Sequence, residues 1–386
     1  MSGFGRAIVA GRIAATPGQG GAAWAVLQWV LGLREFSDDV WFVERLTAQQ
    51  VVPAGASLED SDNARYFHAV MSRFGLSDRA ALILGEGDET VGPSAGHLRE
   101  VARDARVLVD LSGVLAWDSL TSRIPLRLYV DMDPGFTQLW HAVIGEDVGL
   151  AGHTHYATYG QTIGRPGSRL PECGVTWFPT LPPVVLEQWP VAGPIRRDAF
   201  TTVANWRSYG SIEHDGRSFG QKAHSFRGLA HLPTLTATPF FLALSIDPEE
   251  RADLELLRRH GWGVGDAGRL AGSPDGYQRF VQDSRAELGI AKSGYVVEPT
   301  GWFSDRSACY LASGRPVVAQ DTGFGAVLPT GEGLVAFGSA EEAAAIVEFV
   351  MGDYQRHALA ARAIAEEYLD SRKVLGTLLR QIGAIA

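Results

Sequence analysis

Lysine is a rare choice in this sequence: only Lys222, Lys292 and Lys373 occur among 34 cationic residues. Lys222 opens a stretch that reads as a helix. A cation at a helix N-terminus opposes the helix dipole, so an anion held between the two would explain the placement. Arg207 stands fifteen residues earlier, within Asn205-Trp-Arg-Ser-Tyr-Gly210. That segment follows a strand-like run, at the carboxyl-end position where open α/β sheets bind ligands. Ser304-Asp305-Arg306-Ser307 begins another short helix. Its free backbone N–H groups, hydroxyls and guanidinium make an anion site suited to phosphate. Asp321-Thr322-Gly323-Phe324 follows the next strand on the same edge. The chemistry these residues share is the capture of a phosphorylated ligand.

The first half carries a different set. The loop ATPGQGG (Ala15–Gly21) contains Gln19, Gly20 and Gly21 and formally matches G-x-G-x-x-A, with Glu44 ending the next strand. Four residues separate the strand from the first glycine of the match, where a dinucleotide fingerprint needs a tight turn. The loop therefore reads as ligand-facing or as a flexible crossover. Asp131-Met-Asp133 is a D-x-D at a strand end. It could hold a divalent ion, face a substrate, or form a plain Asp-Pro-Gly turn. His153-Thr-His155 has no Cys/Asp/Glu cluster at metal-ligand spacing, so no metal site is expected. His155, His153, Asp131 and Asp133 are the acid–base candidates, His155 foremost.

The elements that must position these groups alternate. Short apolar runs at residues 7–13, 40–43, 80–84, 107–111 and 126–130 read as buried strands, with amphipathic helices at 22–36 and 61–74. A proline-rich run from residue 178 to 194 cannot be a central strand or a regular helix and reads as a linker. Alternation then restarts: strands at 200–204, 240–246, 294–297 and 316–319, and helices at 222–232, 248–260 and 277–288. A capping box at Ser339–Glu342 opens a further helix and Asp353 caps the next. The expected architecture is α/β: two doubly wound domains with a helical tail.

Composition bounds the rest. With 386 residues and a net charge of −10, the chain has room for two domains and lacks the basic face of a duplex nucleic-acid binder. Two cysteines cannot build a disulfide framework, which fits a reducing cytosol. The opening Met-Ser-Gly-Phe-Gly-Arg leads into a strand with no secretory signal, and no apolar stretch reaches the ~20 residues of a bilayer crossing. A cytoplasmic protein is expected. Arginine and alanine in place of lysine suggest a GC-rich, bacterial genome.

The run Trp302-Phe-Ser-Asp-Arg-Ser-Ala-Cys-Tyr-Leu-Ala-Ser-Gly-Arg-Pro-Val-Val-Ala-Gln-Asp-Thr-Gly323 resembles the donor-site signature of GT-B glycosyltransferases, especially the retaining type. Gly20-Gly21 before a helix is similar to that family's acceptor-side loop, and Arg207 and Lys222 look like its diphosphate-clamping pair. The resemblance implies two Rossmann-like domains facing across a cleft, 1–185 (acceptor) and 186–366 (nucleotide-sugar donor), with 367–386 a C-terminal helix returning to the first. It also implies a donor site of Arg207, Lys222, Ser304–Ser307 and Asp321–Phe324, and metal-independent transfer of a hexosyl or deoxysugar group from a nucleotide-diphosphate sugar to a small-molecule acceptor, with no cofactor. The family's paired glutamates fall on Gly301 and Cys309, so retaining stereochemistry is not implied. A sugar-nucleotide epimerase or hydrolase on this fold, and a catalytically silent activating subunit, are the alternatives.

Overall fold

The computed structural model describes residues 4–87, 89–115 and 118–386; the first three residues of the opening stretch lie outside it. Eight strands form the first sheet: β1 (Arg6–Ala10), β2 (Val40–Leu46), β3 (Ala80–Leu84), β4 (Glu89–Val91), β5 (Ala105–Leu111), β6 (Leu126–Asp131), β7 (His155–Thr158) and β8 (Trp177–Pro179). Their spatial order is β4-β3-β2-β1-β5-β6-β7-β8, parallel except at the β3–β4 edge. The order reverses at β1, so the loop after β1 opens at the switch point where such sheets bind ligands.

The chain then runs without helix or regular strand to β9 (Arg197–Asn205). A small hairpin, β10 (Ile212–His214) with β11 (Arg217–Phe219), follows it. The second sheet adds β12 (Phe240–Ser245), β13 (Gly263–Asp266), β14 (Ser284–Gly289), β15 (Val317–Gln320) and β16 (Leu334–Phe337) in the order β13-β12-β9-β14-β15-β16. It too is parallel and reverses at its first strand. Helices cover both faces of each sheet, giving the expected pair of doubly wound domains.

Two elements differ from their sequence patterns. The helix at Pro274–Asp283 stops before residue 284, and Ser284–Gly289 is a central strand beside β9. Its Ala-Glu-Leu content favours helix by propensity, but sheet pairing buries Ala286 and Leu288 completely and overrides that preference. Residues 294–297, read as a strand, belong to a short helix, Ser293–Val297.

The Gly20–Leu33 helix is buried nearly all round. Its apolar residues pack against its own sheet and against the last helix, Ser371–Gln381, which comes back to the first domain. A Cβ on Gly32 would stand 2.7 Å from Leu375 Cδ1, so the two helices touch backbone to side chain. Beside them the interdomain segment meets the returning chain: the Val184 N–H donates to Leu369 O at 2.7 Å and the Ser371 N–H to Val184 O at 2.9 Å. Trp189, fully buried, packs edge-on against Trp24 of the first domain and Tyr277 of the second.

Candidate active site

The carboxyl edges of the two sheets face each other across a cavity of about 570 Å³. From the first domain it receives Pro17–Ala22 and Ala25, the loop after β1 and the first turn of the Gly20–Leu33 helix. The second domain contributes Asn205 and Ser245, the last residues of β9 and β12, Asp266–Gly268 at the end of β13, and Lys292 after β14. Lys222 opens the Lys222–Gly228 helix, and Ser304, Asp305 and Arg306 open the Asp305–Ala312 helix. Ser304 is a true N-cap, its Oγ accepting from the Arg306 N–H at 3.2 Å.

The loop after β1 is held by its own domain. Glu44 is fully buried and its carboxylate accepts from the N–H groups of Ile13 (2.8 Å), Ala14 (2.8 Å) and Ala15 (2.7 Å). Burial pushes its carboxyl up to about 7 against those three donors. Glu44 is therefore a loop anchor and reaches no ribose. Asn63 adds a bond from Nδ2 to Ala14 O at 2.7 Å. What forbids side chains at Gly20 and Gly21 is the other domain. A Cβ on Gly20 would lie 2.2 Å from Ser273 O, and one on Gly21 would lie 2.8 Å from the Tyr277 ring. Gly20→Ala should force the domains apart, because a backbone carbonyl cannot swing away as a side chain can. Small-angle scattering should show a larger radius of gyration than wild type, with Gly18→Ala, whose Cβ meets nothing within 4 Å, as the control for local strain.

Three cations meet in the cleft. Arg306, itself buried, donates from Nε to Glu287 Oε1 at 2.5 Å and from Nη1 to Val203 O at 3.0 Å. Lys292 donates from Nζ to Asp133 Oδ2 at 2.6 Å. Among the described residues no carboxylate stands within ion-pair distance of Lys222, which is half-buried. Burial, together with Arg306 and Lys292 nearby, pushes its ammonium down to about 7. Asp305, also half-buried, lies beside Lys222 and Arg306, and burial raises its carboxyl.

The expected site residues divide accordingly. Gln19, Gly20, Gly21, Lys222, Ser304, Asp305 and Arg306 line the cleft. Arg207 does not: it is exposed and its guanidinium is taken by Glu250. Ser307, Thr322 and Phe324 line a small neighbouring void that shares Trp302, Ser304 and Arg306 with the cleft. Asp321 is exposed and closes its own turn by accepting from the Gly323 N–H at 2.8 Å. Asp131 is fully buried and its carboxylate is used up by Thr137 Oγ1 (2.7 Å), Gln138 Nε2 (2.9 Å), Thr158 Oγ1 (2.8 Å) and the Asp133 N–H (3.0 Å). That corrects its reading as an acid–base or metal-facing group, since no lone pair is left for a ligand. His155 opens β7, on the amino edge of the sheet, away from the cleft. It contacts Thr154 Oγ1 at 2.9 Å, and burial lowers its pKa. Asp133 reaches the cleft only through Lys292. Among the described residues no group of His, Cys, Asp and Glu could hold a metal ion.

Lys292 is the residue the sequence pattern did not place. Its signal was lysine scarcity: two of the chain's three lysines stand in this cleft. Reading residues 284–288 as helix hid the strand whose carboxyl end carries it. Gly301 and Cys309, where the paired glutamates fall, are both buried and neither lines the cleft. A Cβ on Gly301 would meet Gln161 at 2.6 Å, and the Cys309 Sγ accepts from Gln28 Nε2 at 3.8 Å.

No family model matches the chain and no curated relative does. Solved structures do. HepE from Anabaena in complex with UDP-glucose superposes with a TM-score of 0.61 at 12% identity, over 98% of this chain and 100% of that one. An α-glucosyltransferase in complex with UDP and a DNA 13-mer containing an HMU base gives 0.56 at 10% identity over 97% and 98%. The sucrose-phosphate synthase of Thermosynechococcus elongatus gives 0.52 at 12% identity over 99% and 100%. At these identities the likeness is one of fold, and it spans both domains and the returning helix. This chain has the GT-B fold of these glycosyltransferases: two Rossmann-like domains facing across a cleft.

Proposed function

We propose that the protein transfers a sugar from a nucleotide-diphosphate sugar to a small-molecule acceptor. The observation that carries this reading is the convergence of Lys222, Lys292 and Arg306 with the N-terminus of the Asp305–Ala312 helix, at the facing carboxyl edges of a GT-B fold. The shared fold includes enzymes solved with UDP or UDP-glucose bound, which makes a uridine donor the first to test. The donor lies on the second domain, and the acceptor enters against Pro17–Gly21 and Ala25.

Breaking the glycosidic bond moves negative charge onto the leaving diphosphate. Fixed cations and helix N–H groups stabilise that charge more in the transition state than in the bound donor. These groups serve in place of a metal ion, and no cofactor is needed. Asp305 stands on the same side as the phosphate-binding cations. A base for in-line attack belongs on the opposite face of the sugar, so Asp305 is placed to accept from a donor hydroxyl, the task that Gly301 and Cys309 cannot perform.

The direct experiment is titration calorimetry with UDP, followed by a panel of nucleotide sugars assayed for turnover with and without acceptor alcohols. Absence of binding by every nucleotide would refute the reading, and donor hydrolysis unaffected by any acceptor would refute transfer. The Lys222 ammonium supplies a second check. Its folded pKa lies below the unfolded value of 10.5, so the free protein is short of a proton between about pH 7 and 10.5 and its stability falls as pH drops through that window. Diphosphate binding restores the proton. UDP binding at pH 8 should therefore take up close to one proton, seen as a buffer-dependent enthalpy, and affinity should weaken by up to about tenfold per pH unit above 7.

A further inference from the structure

We propose that Asp133 is a positioning residue of the first domain that fixes Lys292 of the second in the phosphate site, so that this cation is in place only when the domains are closed. The inference rests on the donor reading above. Three donors from the second domain converge on the one carboxylate. Lys292 Nζ and Tyr209 Oη donate to Oδ2 at 2.6 and 2.5 Å, and Tyr295 Oη donates to Oδ1. Lys292 Nζ also donates to Tyr209 Oη. The ammonium sits 5.0 Å from the ring centroid of Phe136, 4.4 Å from Tyr209 and 5.5 Å from Tyr295, and Phe136 belongs to the first domain.

An ammonium has three donors. Two are spent on Asp133 and Tyr209, and Lys292 lines the cleft, which leaves the third for a ligand oxygen there. The rings confine the side chain to this one arrangement and contribute cation–π attraction. Separating the domains removes Asp133 and Phe136 together. Lys292 then keeps its like-charged neighbours Lys222 and Arg306 but loses its counter-charge. The phosphate site is thus assembled across the domain boundary, and its geometry reports closure.

The test uses the full-length protein with Asp133→Asn, Lys292→Met and the double variant. Asp133→Asn should enlarge the ligand-free radius of gyration. It should lower kcat with a UDP-sugar by at least about tenfold while leaving the UDP dissociation constant within about threefold, because Lys222, Arg306 and the helix N-terminus still bind the diphosphate. The double variant should be no worse than the poorer single variant, the mark of two residues acting as one unit. Unchanged scattering together with additive losses in the double variant would overturn the proposal. If Asp133→Asn fails to fold, Tyr209→Phe and Tyr295→Phe each remove one hydroxyl donor at nearly constant volume. Both should expand the molecule, and wild-type radii in both would overturn the proposal equally. Wild-type protein that binds no UDP would refute the donor reading, while the scattering comparison would still decide the latch.

Discussion

Lys222→Ala should lower turnover of the donor by on the order of 10²–10³ while weakening donor binding far less, the loss expected when one preorganised charge at a developing anion is removed. The ammonium lacks an ion-pair partner among the described residues and is pushed down by burial and by Arg306 and Lys292. Its charge is therefore costly in the free protein and most fully compensated when the leaving diphosphate carries its greatest charge. Lys222→Arg should recover little, because a planar fork does not replace a point charge in this confined position. Arg207→Ala is the informative contrast. Its guanidinium is exposed and held by Glu250, so kcat and KM should stay near wild type. Wild-type turnover by Lys222→Ala, or a large loss in Arg207→Ala, would move the phosphate site elsewhere.

The second large effect is on stability. Arg306, in the first turn of the Asp305–Ala312 helix, and Glu287, on a central strand of the second sheet, form an ion pair whose side chains are 8% and 0% exposed. Arg306→Met leaves a buried carboxylate unpaired, a change that costs about 3–5 kcal/mol. At roughly 2–4 °C per kcal/mol for a domain of this size, melting of the second domain should fall by about 6–20 °C. Adding Glu287→Gln removes the stranded charge and should recover most of that loss, although turnover stays low because the cleft has lost a cation. A single variant that melts like wild type would show that the pair is dispensable to the fold.

Much of the fold was legible in the sequence because buried parallel strands are continuous apolar runs and helix starts carry side-chain caps. Ser61, Ser304, Ser339 and Asp353 all cap the helices they open. The failures share a cause. In Ser284–Gly289 the glutamate is answered by Arg306, nineteen residues away in sequence, and local propensity carries no trace of that partner. In Gly263–Asp266 two glycines mask an edge strand. The site was legible where scarcity spoke, at Lys222, and where a cap met a phosphate-like loop, at Ser304–Arg306. It was illegible where the deciding contact is tertiary. Arg207 has the right type and position but an acidic neighbour claims it, and the carboxylate of Asp131 is consumed by its own loop and by Thr158 of the adjacent strand.

The return of the Ser371–Gln381 helix to the first domain has a consequence for biosynthesis. The surface of Gly20–Leu33 that receives Leu375 is made early, but its cover is translated only after the whole second domain. Until the Ser371–Gln381 helix emerges from the ribosome, the first domain keeps a buried-type face open to water, and the stretch around Val184 still waits for the Leu369–Ser371 backbone. Such exposed apolar surface is what makes partly made chains stick together. Yield during expression should therefore depend on how promptly the Ser371–Gln381 helix is made and docked, and a chain cut before Ser371 should be less soluble than the intact one.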